Sequence, residues 1–66
     1  MGSLHIIYKY LNKKRIEYAE KLLVDPELSI TEVALQSGFS SLSAFIRMFK
    51  LIKDCTPTEF RNLYED

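Results

Sequence analysis

The chain places a helix-ending glycine between two short helical patterns, and this arrangement constrains its fold more than any other feature. The first pattern begins with Ser29 and Glu32, at the Ser-x-x-Glu spacing of a capping box, in which each side chain satisfies a free backbone N–H of the first turn. Gly38 ends this helix, because a residue without a Cβ atom readily takes the left-handed conformation. The second pattern starts at Ser40 or Ser41. Two helices joined by a tight glycine-containing turn are typical of a helix-turn-helix.

The helix predicted over residues 41–53 has two different faces. Successive residues of an α-helix are rotated by about 100°, which places one set of apolar side chains together for burial: Phe45, Met48, Phe49 and Ile52. The opposite face carries polar side chains flanked by Ile46: Ser43, Arg47 and Lys50. Leu42 lies on one shoulder, and Ala44 and Leu51 lie on the other. The helix is therefore predicted to anchor a core with one face and to present the other to a partner.

A long connecting helix is predicted over residues 4–25. It ends before Pro26, because proline disfavours helical geometry in the residue that precedes it. Helical spacing gathers the side chains that are predicted to face inward: Tyr8, Leu11, Arg15, Ala19, Leu22 and Leu23, with Ile16 at the edge. Residues 1–3 are interpreted as an expression leftover, or alternatively as a native start.

The last helix is predicted over residues 57–64. Thr56 is its cap, and Pro57 sits at the first helical position, where its missing N–H costs nothing. Glu59 completes a second capping box. No stretch alternates between apolar and polar residues with a period of two, so we expect no strands. The predicted fold is all-α, a long linker helix followed by a homeodomain-like helix-turn-helix unit of three helices: 29–37, 41–53 and 57–64.

The composition excludes several classes of protein. The 66 residues contain nine Lys and Arg, nine Asp and Glu, one histidine and one cysteine. A tetrahedral zinc site needs a cluster of Cys and His, and a single cysteine cannot form an internal disulfide. We therefore expect no metal, no cofactor and a reducing, cytoplasmic location. No apolar run reaches membrane-spanning length and no nucleophile–base pair can be assembled, so we expect neither membrane association nor catalysis.

Charge is segregated along the chain although the formal net charge is zero. A zero net charge argues mildly against nucleic acid, because phosphate binding depends on cationic groups. The distribution of charge matters more than its sum. A basic opening and a second basic run flank an acidic middle. The opening holds Lys9, Lys13, Lys14 and Arg15, and the second run holds Arg47, Lys50 and Lys53.

Three blocks of the sequence resemble the DNA-binding domain of AraC/XylS-type transcription regulators. They read R-I-x-x-A-x-x-L-L over 15–23, I-T-E-V-A-x-x-S-G-F-S-S-x-S-x-F-x-R-x-F-K over 30–50, and T-P-T-E-F-R over 56–61. The resemblance extends over about residues 7–64. It implies the connecting helix and the second of two helix-turn-helix units, hence the C-terminal part of a larger regulator. It also implies that the first unit and the effector or dimerisation domain are absent from these residues.

The resemblance further implies double-stranded DNA as the partner, with the helix over 41–53 in the major groove. In the family, the outward positions near the start of this helix contact bases, and here they are Leu42, Ser43, Ala44, Ile46 and Arg47. Ser41 and Lys50 are the expected phosphate contacts. Asp54 stands where the family usually has glycine, and aspartate tolerates the left-handed turn better than most residues.

A protein-interaction module is the alternative function. The apolar shoulders of the presented helix and the zero net charge suit contact with RNA polymerase or another regulator domain. Arg15 is interpreted as structural, paired with an acid such as Glu32 or Glu59, or alternatively as a phosphate contact. Three apolar or aromatic residues lie early in the long helix, away from its best core face: Ile6, Ile7 and Tyr10. They are interpreted as packing on the family's first unit, or alternatively as a frayed helix start.

Overall fold

Four helices form the structure, a computed structural model that describes residues 2–64 and the side chains of residues 6–64. They are α1 (Gly2–Leu23), α2 (Ile30–Gln36), α3 (Leu42–Lys53) and α4 (Pro57–Asn62). No strand occurs within residues 2–64, and the prediction of an all-α fold is confirmed. Gly2 and Ser3, which were assigned to an expression leftover, are helical, and Met1 lies outside the described residues.

The predicted capping boxes start both short helices. The Ser29 hydroxyl accepts a hydrogen bond from the Glu32 N–H at 3.0 Å, and the Glu32 carboxylate accepts one from the Ser29 N–H at 2.9 Å. Thr56 and Glu59 exchange the same two bonds at 3.1 and 2.8 Å. Each box satisfies two N–H groups that a helix start otherwise leaves without a partner.

Two residues take the left-handed conformation after helices. Gly38 has φ +92°, and a Cβ atom there would lie 3.2 Å from Nε of Arg15, so a side chain would meet both strain and a neighbour. Asp54 follows α3 with φ 63° and donates its N–H to the Lys50 carbonyl oxygen at 2.9 Å. The turn after α3 therefore forms with aspartate in place of the usual glycine.

The core is built around aromatic side chains of α3. Its buried apolar residues come from three helices and the turn: Ile16, Ala19, Leu23, Val33, Ala34, Phe39, Phe45 and Phe49. Ring centroids are 5.3 Å apart for Phe39 and Phe45, 5.7 Å for Phe45 and Phe49, and 5.5 Å for Phe49 and Phe60. Tilted and edge-to-face pairs of this kind add about 0.5–1.5 kcal/mol each beyond the burial of their area. This row of rings fixes how α3 is rotated about its axis.

The buried face of α1 differs from the predicted one. The described side chains from Ile6 to Leu11 are all exposed, including Tyr8 at 61% and Leu11 at 42%, which were expected to face inward. Burial begins only at Asn12 and continues through the second half of the helix. On α3, Ile52 is also 38% exposed, because the first half of α1 leaves a groove beside it.

Arg15 lies against the turn of the helix-turn-helix. Its Nη1 donates to Oδ1 of Asn12 at 3.5 Å, and its guanidinium carbon is 6.0 Å from the centre of the Phe39 ring. The expected pairing with Glu32 or Glu59 is wrong: the ion pairs among the described side chains join Lys14 to Glu17 and Lys53 to Glu20. The side chain instead fills the space that Gly38 leaves open.

Arg61 joins α4 to the segment that connects α1 and α2. Its Nε donates to the Leu23 carbonyl oxygen at 2.9 Å, and its Nη2 donates to those of Asp25 at 3.2 Å and Leu28 at 2.6 Å. Leu23 ends α1, so this bond satisfies a carbonyl that has no partner within the helix. One guanidinium therefore sets the direction in which the chain leaves α1 and approaches α2.

Replacing Asp54 tests the left-handed turn. We expect Asp54→Gly to raise the free energy of unfolding by about 0.5–1 kcal/mol, because it removes both the Cβ strain and a negative charge at the negative end of α3. Asp54→Ala removes the same charge, but alanine tolerates this conformation worse than aspartate, so it should lower the free energy of unfolding by about 0.5–1 kcal/mol. Urea unfolding followed by circular dichroism measures both. Two changes of the same sign would contradict this account of the turn.

Replacing Arg61 tests its three hydrogen bonds. Arg61→Met should lower the free energy of unfolding by about 1.5–3 kcal/mol, because three charge-assisted hydrogen bonds to backbone carbonyls are lost, two of them part-buried. Arg61→Lys should recover less than half of this lost stability, since one ammonium cannot reach three separate carbonyls. Arg47→Met on the exposed side of α3 is the matched control and should stay within about 0.5 kcal/mol of the parent chain in urea unfolding. Equal losses of stability in Arg61→Met and Arg47→Met would show that the three hydrogen bonds of Arg61 do not stabilise the fold.

Candidate nucleic-acid interface

The N-terminus of α3 has free hydrogen-bond donors. Ser41 is its cap, with φ −154° and ψ 160°, and its hydroxyl oxygen accepts a bond from the Ala44 N–H at 3.1 Å. The N–H groups of Leu42 and Ser43 precede the first intrahelical bond, which runs from the Phe45 N–H to the Ser41 carbonyl oxygen. Such N–H groups, together with the positive end of the helix dipole, favour an anion.

The three helices of the 29–64 unit differ at their starts. The carboxylates of Glu32 and Glu59 place a negative charge at the N-termini of α2 and α4. The pKa of each carboxyl is lowered, mainly by the bond it accepts from the backbone N–H of its cap residue and then by the bond with that residue's side chain. The first turn of α3 holds no acidic residue, and Ala44 stands where the others have glutamate. In this unit, α3 alone starts without a carboxylate to oppose the binding of an anion.

Two cations share the outward side of α3. Arg47 and Lys50 are exposed, and neither forms an ion pair within residues 6–64. Lys50 lies near enough to Glu59 for its charge to help lower the pKa of that carboxyl, although this is a smaller cause than the hydrogen bonds with Thr56. Ser43 is exposed beside them. The polar face predicted for this helix is therefore open to solvent.

Lys53 belongs to the fold rather than to this surface. Its ammonium lies 2.6 Å from Oε1 of Glu20 on α1, and the bond with Glu20 is the main reason why the pKa of Lys53 is raised. The second basic run of the sequence thus contributes two free cations, not three. The pairing joins residues 33 positions apart, and a helical wheel of α3 alone gives no sign of it.

The apolar residues assigned to the interface fall into two groups. Leu42 is 37% exposed at the start of α3. Ala44 and Ile46 are half-buried and pack against the core, so they present only part of their surface. Of the expected DNA contacts, the structure therefore brings five together on one exposed surface: Ser41, Leu42, Ser43, Arg47 and Lys50.

The free backbone N–H groups of Leu42 and Ser43 also belong to the site, although a list of contacting side chains does not include them. A signal for them exists in the sequence. Ser41 is followed three residues later by alanine, whereas Ser29 and Thr56 are followed at the same spacing by glutamate. A capping residue without its acidic partner leaves the helix start without a negative charge.

Comparison with known proteins gives one consistent answer. A family described as "Helix-turn-helix domain" matches residues 6–63. An uncharacterized HTH-type transcriptional regulator of Staphylococcus aureus is 46% identical over 52 residues, which are 79% of this chain and 7% of that protein. The virulence regulon transcriptional activator VirF of Yersinia enterocolitica is 36% identical over 52 residues, 79% of this chain and 19% of VirF. The chain belongs to the AraC-type helix-turn-helix family.

Membership of the AraC-type family carries a DNA-binding regulatory role. The chain covers 7% of the length of the Staphylococcus regulators, including one from strain COL that is 43% identical over 54 residues. No solved structure matches the chain. Within residues 2–64, no helix is long and apolar enough to cross a membrane, and no three His, Cys, Asp or Glu side chains are grouped to hold a metal ion.

Proposed function

We propose that the chain binds double-stranded DNA by placing the first half of α3 in the major groove. One observation carries this proposal: the open N-terminus of α3 and the two free cations lie on the same exposed side of one helix. A helix of this diameter fits the major groove, and its N-terminal N–H groups complement a phosphate. The aromatic core holds that side outward, so DNA can reach it without a change in the fold.

Arg47 supplies most of the base recognition in this arrangement. A guanidinium can donate two hydrogen bonds to O6 and N7 of one guanine. Ser43 lies about one turn before it and can donate or accept at a neighbouring base edge. Leu42 and the exposed parts of Ala44 and Ile46 offer apolar contact to thymine methyl groups. A single bidentate side chain gives modest sequence selectivity.

Phosphate contacts hold the helix in position. Lys50 supplies a charge, and the Ser41 hydroxyl retains its proton as a donor, because its oxygen serves as the acceptor in the cap. With three or four phosphate contacts, the logarithm of the affinity should fall with the logarithm of salt concentration at a slope of about −3. The dissociation constant for DNA of arbitrary sequence should lie at about 10⁻⁴–10⁻⁶ M in physiological salt.

Two substitutions separate base recognition from phosphate binding. Arg47→Ala should reduce affinity for the preferred duplex by about 1–3 kcal/mol and remove the preference at one base pair. Lys50→Ala should weaken binding to all duplexes alike and reduce the salt slope by about 1. Fluorescence anisotropy with a panel of duplexes that differ at single positions, repeated at several salt concentrations, measures both effects.

Lys21→Ala is the matched control, because Lys21 is an exposed lysine in the last turn of α1 and is not part of α3. It should leave both the affinity and the base preference unchanged. If Lys21→Ala and Lys50→Ala reduce the salt slope equally, binding follows overall charge and not α3. If Arg47→Ala leaves the base preference intact, Arg47 does not read a base.

A further inference from the structure

An apolar groove lies between the first half of α1 and the second half of α3. Its volume is about 590 Å³, within the range of about 300–1,000 Å³ that is usual for ligand clefts. Its apolar lining comes from both helices: Tyr8, Met48, Leu51 and Ile52. Leu51 is 73% exposed and Tyr8 is 61% exposed, so these side chains are accessible in the folded chain.

The groove has a cationic wall. Lys9 and Lys13 line it from α1, and no acidic residue is among its lining residues. Neither lysine forms an ion pair within the described side chains, whereas Lys14 lies 3.4 Å from Glu17 and Lys53 lies 2.6 Å from Glu20. The positive charges of this wall are therefore available to an occupant.

We propose that the groove binds an amphipathic helical segment of a partner protein that carries aliphatic side chains on one face and acidic residues beside them. The apolar floor would receive the aliphatic side chains, as in other complexes of a helix in a groove. Lys9 and Lys13 would pair with the acidic residues. DNA also carries negative charge, but its charged phosphate groups are polar and cannot bury Leu51 and Ile52 as aliphatic side chains can.

A second copy of the chain fits the groove poorly. The part of α1 that would enter it, residues 6–14, contains three lysines and no acidic residue. Pairing two copies through this stretch would bring like charges together, which opposes association. An acidic partner removes this repulsion and neutralises the wall.

The groove does not depend on the DNA-binding proposal. Leu51 follows Arg47 by one helical turn on α3, so the partner would lie next to the DNA surface, yet the two surfaces use different side chains. A test without DNA can therefore fail or succeed while the roles of Arg47 and Lys50 stand.

Two peptides of about 18 residues, or five helical turns, provide the probe. Both carry leucine at i, i+3, i+4 and i+7 spacing. The positions beside this leucine face hold glutamate in one peptide and lysine in the other. The ¹⁵N-labelled chain is titrated with each. The glutamate peptide should shift the amide signals of residues 8–13 and 48–52 and bind at least about tenfold more tightly than the lysine peptide.

Variants locate the contact. Leu51→Ser should weaken binding of the glutamate peptide by about tenfold, because an aliphatic contact is lost. The double variant Lys9→Gln and Lys13→Gln should weaken it by about fivefold. Leu63→Ser and Lys21→Gln are the controls, since Leu63 is 77% exposed and Lys21 is also exposed, and both lie outside the groove. Circular dichroism of each variant checks that the fold is retained.

Three results would overturn the proposal. The first is equal affinity for the two peptides, which would remove the role of the cationic wall. The second is a dimer in sedimentation that Leu51→Ser converts to a monomer, because the occupant would then be a second copy. The third is a DNA duplex that shifts the groove amides and loses affinity in the double lysine variant, because the groove would then be part of the DNA surface.

Discussion

The burial of Phe45 and Phe49 is the interaction on which the rest of the structure depends. Both side chains are fully buried, and their rings contact each other and those of Phe39 and Phe60. Because α-helical residues advance by about 100°, fixing two phenylalanines inward fixes every other direction on α3. Arg47 then faces away from the core by geometry, and no ion pair within residues 6–64 holds it there. The helix that stabilises this small domain is thus also the helix that presents Arg47 and Lys50 to solvent.

Local electrostatics decide which exposed positions remain free. Glu32 and Glu59 occupy the starts of α2 and α4, and Glu20 holds Lys53 against α1. Glu32 and Glu59 thus leave α3 as the helix of the 29–64 unit that starts without an acidic residue in its first turn. The net charge of zero is therefore a poor guide to this protein, since Glu20, Glu32 and Glu59 have partners within the fold while Arg47 and Lys50 stay exposed on α3.

Local sequence signals were enough to predict much of the fold. The features that were predicted wrongly depend on contacts between different elements. Caps, the glycine turn and the inward phenylalanines depend on residues within four positions of one another, so the sequence pattern contained them. The predicted burial of Tyr8 and Leu11 on α1 was wrong. Helical spacing shows which side chains share a face, but it does not show how far along the helix the neighbouring elements extend. The half-burial of Ala44 and Ile46 arises in the same way, from neighbours on other elements. The structure leaves the contacts with DNA as predictions.

We propose that α3 meets DNA through its first half while its phenylalanines stay buried. Titration of the ¹⁵N-labelled chain with a short duplex at low salt tests this directly by mapping amide shifts along the chain. We predict that the largest shifts fall on residues 41–47, that residues 25–32 change little, and that the side-chain signals of Phe45 and Phe49 keep their positions. Shifts that leave residues 41–47 unchanged, or that come with loss of the buried aromatic signals, would contradict the account.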